Sequence, residues 1–454
     1  MRAWKLVAYL LLSFAPVPAS AINLMEAWRL ALEQDPEYQA ARYARSAGLE
    51  ERAMGMAALL PVISWDYQQS RHHSEVSMGG RSEFRRYDSN ASTWSLRQPL
   101  FDYEVWNRYR RGDAGARQAI ARFRERQQDL ILRLFRVWSQ ALLSREQHEL
   151  LVAQKRALQE QYRLNKRLFQ EGEGTRTDLL ETQAQLSLAD VRLMEQQNSL
   201  DIRLRELEAM TGVALTIQKL TPLNALFAPV PLRPQNFSWW LDLALKNNAQ
   251  LQALGLGLLA AKYDIERQRA GHLPRVSLIA SKRHSRSDTE SSYHQRYNTD
   301  TVGIQIGIPI FSGGAVSAGV RQAQALYEQT QWEKDRETVA VQLALRQRFN
   351  LLTSTQAKID ALMQSVQSTL ALISATRQSV SGGERINLDV LNAQMQYYSA
   401  RSELVAARYD WLIAWLELHY YAGTLDDAIL ERVAGYFQVE NPVSPYGETG
   451  RVNR

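Results

Sequence analysis

Thr301-Val302-Gly303-Ile304-Gln305-Ile306-Gly307-Ile308-Pro309-Ile310-Phe311 is the stretch on which the fold turns. Successive side chains of a strand point to opposite faces. Val302, Ile304, Ile306 and Ile308 therefore share one face, and Thr301, Gly303, Gln305 and Gly307 share the other. One face is greasy and one is wet, over about the ten residues that a tilted strand needs to cross hydrocarbon. Three other segments carry the pattern. After Pro61, Ile63, Trp65 and Tyr67 alternate with Ser64, Asp66, Gln68 and Ser70. Before Pro99, Trp94 and Leu96 alternate with Thr93, Ser95 and Arg97; after Pro274, Val276, Leu278 and Ala280 alternate with Ser277 and Ser281. A half-buried strand of a soluble sandwich would show the same alternation, so the weight lies in how the four are arranged.

They are arranged by a repeat. Leu30-Ala31-Leu32 returns as Leu243-Ala244-Leu245, and Leu60-Pro61-Val62-Ile63-Ser64 as Leu273-Pro274-Arg275-Val276-Ser277. Gln98-Pro99-Leu100-Phe101 returns as Ile308-Pro309-Ile310-Phe311, and Asp178-Leu179-Leu180 as Asp389-Val390-Leu391. The offset stays near 211 residues, which predicts two copies of one architecture. The first covers 22–212 and the second 238–423. Residues 213–237, with Pro222, Pro229, Pro231 and Pro234, join them as a linker in an equatorial region.

Around the strands the chain reads as helix. Helices are predicted over 24–58, 102–170 and 177–211, and again over 238–271, 314–381 and 386–421. Leu179, Leu186, Leu193, Leu200 and Leu207 keep a seven-residue step, answered by Val390, Tyr397, Leu404, Trp411 and Leu418; such a step packs helices side by side as coiled coils. At 1.5 Å per residue each long helix spans roughly 100 Å and each shorter one roughly 50 Å. Two short helices stacked end to end beside a long one would give each half two parallel cylinders.

Composition bounds the class. Met1-Arg2-Ala3-Trp4-Lys5, the apolar run Leu6 to Phe14 and Ala19-Ser20-Ala21 form a secretory signal over 1–21, cleaved before Ile22. The chain has no cysteine, hence no disulfide framework, thiolate metal site or lipidated N-terminal Cys. A net charge of +6, or +4 without Arg2 and Lys5, is spread along the length and points away from nucleic acid. No later apolar run approaches the ~20 residues of a spanning helix, so strands are the only way into a membrane.

Four strands cannot lie in a bilayer as an open sheet, since each free edge would bare N–H and C=O groups to hydrocarbon. Other copies must close it. Two copies give eight strands with a filled interior; three give twelve, the smallest number that leaves a lumen. The fold predicted is thus a long antiparallel α-helical coiled-coil barrel plus four transmembrane strands per chain, twelve in a homotrimer. Residues 71–89 and 286–298 read as polar external loops, and His72-His73 as loop rather than metal site. Pro61, Pro99, Pro274 and Pro309 are placed at the helix-proximal strand ends, where fixed φ and a missing donor suit a change of structure.

The repeat, the Pro-Leu-Phe and Pro-Ile-Phe joints and the tip sequences together resemble the TolC family of outer-membrane channels over the whole mature chain, most nearly the type I secretion branch with its alkaline-protease secretion proteins. That resemblance implies a trimer in the outer membrane of a Gram-negative bacterium, with a large periplasmic portion. Its partners would be a periplasmic membrane-fusion adaptor, an inner-membrane ABC transporter, an exported polypeptide and outer-membrane lipid. It also implies site residues. Gly172 and Gly383 match the turns at the periplasmic tips, and Asp389 an acidic ring at the tunnel entrance. A second ring falls on Asn392, which makes the entrance less negative. Arg385 matches an arginine that clasps the entrance shut against Thr177 and Asp178, and the clasp tyrosine is Val380 here. Asp178 and Asp389 also suit the first turn of a helix on electrostatic grounds alone.

No phosphate loop, HExxH, nucleophile elbow or Cys/His cluster occurs, so no catalytic residue, metal or cofactor is expected. Two alternatives stay open: an outer-membrane duct of a small-molecule or drug efflux pump, and a soluble periplasmic coiled-coil adaptor or scaffold. Residues 424–454, with Pro442 and Pro445, read as a mobile tail.

Overall fold

The computed structural model describes residues 22–224, 227–287 and 295–437. The signal segment 1–21, the centre of the loop read at 286–298, and residues 438–454 of the tail lie outside the described residues. The first half consists of α1 (Leu24–Gln34), α2 (Pro36–Ala57), β1 (Val62–Met78), β2 (Arg81–Phe101), α3 (Tyr103–Glu171) and α4 (Arg176–Thr211). The second runs through α5 (Phe237–Asn247), α6 (Ala249–Arg269), β3 (Arg275–Ser287), β4 (Gln295–Gly307), α7 (Ala315–Ser381) and α8 (Asn387–Ala422), followed by α9 (Asp427–Ala434). Helices of 11, 22, 69 and 36 residues are answered by helices of 11, 21, 67 and 36, so one order of lengths is used twice.

The helix expected over 24–58 is two helices. A proline ring disfavours helical geometry in the residue before it, and Asp35, ahead of Pro36, is extended at φ −64°, ψ 117°. Its carboxylate then accepts the Tyr38 N–H at 2.7 Å and starts α2. The helix expected over 238–271 breaks likewise at Asn248, with φ −58° and ψ 121°, although no proline follows it.

The chain gathers into two compact units, each drawing on both halves. The helical unit takes residues up to 41, 125–248 and from 340 onward. Its core holds Trp28 of α1; Leu130, Leu134, Phe135, Trp138 and Leu142 of α3; Leu207 of α4; Leu345 and Ile359 of α7; and Leu412 and Leu416 of α8, all buried. The seven-residue series lies inward: Val390, Leu404, Trp411 and Leu418 are buried, and Leu186 packs on a cluster of Leu158, Ala189 and Leu391.

The linker 213–237 and the first part of the tail contribute to this core. Leu215, Leu220 and Phe227 of the 213–237 linker are buried, and Ile22 donates its N–H to the Lys219 carbonyl at 2.7 Å. The tail read as mobile is ordered as far as residue 437. Leu430 and Val433 of α9 are fully buried, and Phe437 meets Phe135 edge-on at 6.1 Å. Leu430, Val433 and Phe437 keep a helical spacing, and burying that face outweighs the polar composition around it.

The second unit takes 42–124 and 249–339. Its sheet runs β1-β2-β3-β4, antiparallel throughout. The strands outrun the alternating stretches. β1 and β2 stay paired to Met78 and Arg81, where Gly79 and Gly80 turn at φ +59° and +81°; most of 71–89, read as loop, is hairpin. β3 and β4 likewise extend to Ser287 and from Gln295, at both edges of the second loop. Beyond Ser70 neither face is apolar, so alternation fades while the backbone ladder goes on. Pro61 and Pro274 directly precede β1 and β3, and Pro309 follows β4. Pro99 lies inside β2, where the pairing shifts between Pro99 and Phe101; its ring removes a ladder donor there. Beside the sheet α2 packs closely on α3, with no room for a Cβ at Gly48 against Ala119 or at Gly112 against the Glu51 carbonyl.

Candidate functional site

The sheet presents two unlike faces. Cross-strand partners share a face, so the register puts Ile63, Leu96, Ala280 and Val302 in one row and Trp65, Trp94, Lys282 and Asp300 in the next. Val302, Ile304 and Ile306 of β4 are 78%, 65% and 64% exposed. The Trp65 and Trp94 rings lie 6.4 Å apart, and the Trp65 indole N–H donates to Ser92 at 2.9 Å. The opposite face is polar: Ser64 and Ser95 hydroxyls meet at 2.7 Å, and Arg97 donates to Gln305 across β3 at 2.7 Å. His72 belongs to β1, stacked on Tyr87 at 4.7 Å with its Nε2 2.8 Å from the Ser89 hydroxyl. Among the described residues no group of three or more metal-ligating side chains gathers.

In the helical unit, the two helix reversals are built alike. After α3 the Glu173 N–H returns to the Leu168 carbonyl at 2.9 Å and the Gly172 N–H to that of Phe169 at 3.3 Å. After α7 the Glu384 N–H returns to Ser379 at 3.0 Å and the Gly383 N–H to Val380 at 3.1 Å. Gly172 and Gly383 sit at φ +82° and +76°, in the left-handed region where a Cβ is disfavoured. The two turns thus share one bonding pattern, 211 residues apart.

α4 starts at Thr175, whose hydroxyl accepts the Asp178 N–H at 3.1 Å and donates to the Asp178 carboxylate. Asp178 is therefore engaged within its own first turn. Thr177, Arg385 and Asn392 are exposed, and among the described residues Arg385 has no acidic partner within the chain. Asp389 reaches back to the Ile386 N–H at 3.4 Å. Ile386 has no side-chain acceptor with which to reciprocate, so this is half a capping box at most. Val380 lines a groove of about 520 Å³ with Leu164, Leu168, Arg377, Asn387 and Val390.

A buried polar cluster lies just inside these turns. Gln161 of α3 donates to Asn387 of α8 at 2.7 Å, and Asn165 of α3 donates to Thr182 of α4 at 2.8 Å. The Asn387 amide is 3.4 Å from the Thr182 hydroxyl, which itself donates to the Asp178 carbonyl at 2.8 Å. Three helices are joined by four side chains, and Asn165, Thr182 and Asn387 are buried. Elsewhere in the unit Glu417 is held by Arg136 and Arg348, each at 2.9 Å. Tyr409 donates to Glu146 at 2.7 Å; burial foremost raises that carboxyl above the usual range, against the pull of the phenol.

The profile of the outer membrane efflux protein family matches residues 27–213 and, separately, 240–424. The chain belongs to that family. The TolC-family resemblance of the repeat and its proline joints is thereby borne out, and the chain is an outer-membrane protein. Among its relatives, the proteases secretion protein PrtF of Dickeya chrysanthemi is 45% identical over 443 residues, covering 96% of both chains. The alkaline protease secretion protein AprF of Pseudomonas aeruginosa is 44% identical over 441 residues, covering 96% of this chain and 91% of its own. The fold is that of the Campylobacter jejuni CmeC outer membrane channel, with a TM-score of 0.78 at 17% identity over 92% of this chain and 89% of that one.

In this outer membrane efflux protein the cluster of Gln161, Asn165, Thr182 and Asn387 escaped the sequence reading. Its signal was present: Leu158, Gln161, Asn165 and Leu168 follow the helical spacing of an apolar stripe, with two amides in leucine places.

Proposed function

We propose that the protein is the outer-membrane channel-tunnel of a type I secretion system, carrying a polypeptide, a protease or similar exoprotein, from an inner-membrane ABC transporter and a periplasmic adaptor to the cell exterior. The observation that carries this reading is the exposed apolar face of a four-stranded sheet whose outer strands, β1 and β4, have no partner on one side among the described residues. Such a sheet meets lipid only if further copies pair with its edges, and three chains give a closed barrel of twelve strands with a polar lumen. Trp332 and Val339, seven residues apart on α7 and 71% and 63% exposed, supply apolar surface for a neighbouring copy. High identity to two protease secretion proteins over nearly the whole chain supports the cargo class. The chain itself does no chemistry.

The tips after α3 and α7 form the tunnel entrance in this reading. Asp389 and Asn392 line the constriction, and Gly172 and Gly383 allow the helix reversals. Arg385 closes the entrance by reaching Thr177 and Asp178 of an adjacent copy; its exposure and its lack of an acidic partner among the described residues support a contact made between copies.

The test is a deletion strain of the source bacterium, with and without the gene restored, assayed for extracellular protease and for drug susceptibility. Extracellular protease should fall on deletion and return on restoration, with susceptibility unchanged. Normal protease export with heightened susceptibility would instead make the protein a drug-efflux duct.

A further inference from the structure

Past the tryptophans, the apolar face of the sheet changes chemistry row by row. In the Trp65-Trp94 row Lys282 is paired with Asp300 at 3.6 Å. Tyr67, Ser92, His284 and Asn298 form the next row, where His284 and Asn298 are hydrogen-bonded to each other. Gln69, Asn90, Arg286 and Arg296 form the one after it. All four side chains of that last row are exposed.

Arg286 and Arg296 are direct cross-strand neighbours. Like charges placed opposite each other weaken a strand pair unless an anion lies between them. Among the described residues neither arginine has an acidic partner. The nearest acids on this face among the described residues are committed: Asp300, two rows back, to Lys282, and Asp88, one row beyond, to Arg71 at 2.9 Å. Gln69 and Asn90 add amide donors, so each of the four strands contributes a donor to the row and no carboxylate. At about 3.4 Å per residue the row stands roughly 13 Å along the strands from the tryptophans. Tryptophan and tyrosine rows mark a membrane interface, and a donor row just beyond them lies at the depth of headgroup phosphates.

We propose that this row binds a phosphate-bearing glycolipid of the outer leaflet, with the Arg286 and Arg296 guanidinia bracketing one phosphate group. Arginine suits this because its planar fork gives two parallel hydrogen bonds to phosphate oxygens. The proposal rests on the reading of the sheet as part of an outer-membrane barrel.

The test uses the purified full-length mature protein in a zwitterionic detergent, with native mass spectrometry reading bound lipid. The probes are diphosphoryl lipid A, its dephosphorylated form, and inorganic phosphate as competitor. The parent should favour diphosphoryl lipid A on the order of tenfold per arginine engaged, and R286Q/R296Q should lose that preference. Equal retention of the two lipids by the parent, or of diphosphoryl lipid A by parent and variant, overturns the proposal. Full displacement by millimolar inorganic phosphate overturns the assignment to lipid. Heat-modifiable mobility on the same samples separates the levels: a protein that is not an assembled barrel fails the channel reading, whereas an assembled barrel with no lipid preference fails only the phosphate row. Should the variant not assemble, the parent's choice between the two lipids still decides.

Discussion

The side-chain oxygen of Asn387, the first residue of α8, accepts a hydrogen bond from Gln161 of α3 at 2.7 Å. Through its amide Asn387 also approaches Thr182 of α4 at 3.4 Å, so one side chain ties the start of α8 to two other helices.

Asn387→Ala would leave Gln161 without this acceptor and remove a partner from buried Thr182. An unpaired buried polar group costs about 1–3 kcal/mol. The thermal unfolding midpoint should fall, and if the tips form the entrance, single-channel conductance in planar bilayers should rise. A lower midpoint with unchanged conductance would reduce the cluster to a packing device.

If the tips form the entrance, Arg385→Ser should raise single-channel conductance by removing the proposed contact between copies. Asp389→Ala should weaken block by multivalent cations, on the order of tenfold for ~1.4 kcal/mol of lost attraction. The Asp389 bond to the Ile386 N–H is long at 3.4 Å, so its loss should barely alter stability. Equal block in mutant and parent would take Asp389 out of the constriction.

His419 lies between the Trp240 and Trp415 rings, at 5.3 and 4.5 Å. Burial, reinforced by nearby Arg432, pushes its imidazole down to about 4 from an ordinary 6.5. The folded protein holds this ring neutral while the unfolded chain protonates it near 6.5. Its stabilising contribution is therefore complete above pH 6.5 and is lost as pH falls toward 4. The loss is on the order of 2–3 kcal/mol. Denaturation midpoints of parent and His419→Gln should converge between pH 7 and 4.5; parallel curves would contradict the assignment.

Glu417 is buried against two guanidinia, Arg136 and Arg348, whose side chains are 43% and 32% exposed. Glu417→Leu leaves both cations uncompensated. The cost should be about 2–3 kcal/mol, at the low end for breaking a buried pair because both arginines keep contact with water. Adding R136M and R348M should recover much of it, as read by chemical denaturation; no recovery would mean the carboxylate matters through packing.

Much of this was legible because water and hydrocarbon impose opposite demands on alternate residues of a strand. The pattern held as far as Ser70 in β1 and failed beyond it, where Arg71 pairs with Asp88 and the Ser77 and Ser82 hydroxyls meet while both faces are wet. Backbone pairing leaves no trace in side-chain polarity. Pro36 carried a signal for the break at Asp35 that the helix expected over 24–58 passed over, whereas Asn248 breaks a helix without a proline. The family resemblance pointed to turns at Gly172 and Gly383, and glycine there suits the positive φ that both adopt. The amides behind them, like the apolar face of α9, became meaningful only once their packing partners were known.

The central claim is that copies of the chain pair β1 with β4. Within one chain these strands are separated by two others, about 14 Å at the usual spacing, far beyond the ~7 Å limit of a disulfide. The natural chain has no cysteine, so an engineered pair has no competitor. Ser64→Cys on β1 should be combined in turn with cysteines at Thr299, Thr301, Gly303 and Gln305 on the same face of β4. At one register, oxidation in isolated outer membranes should give a ladder ending at a covalent trimer on non-reducing gels. Monomer alone at every register would contradict the account.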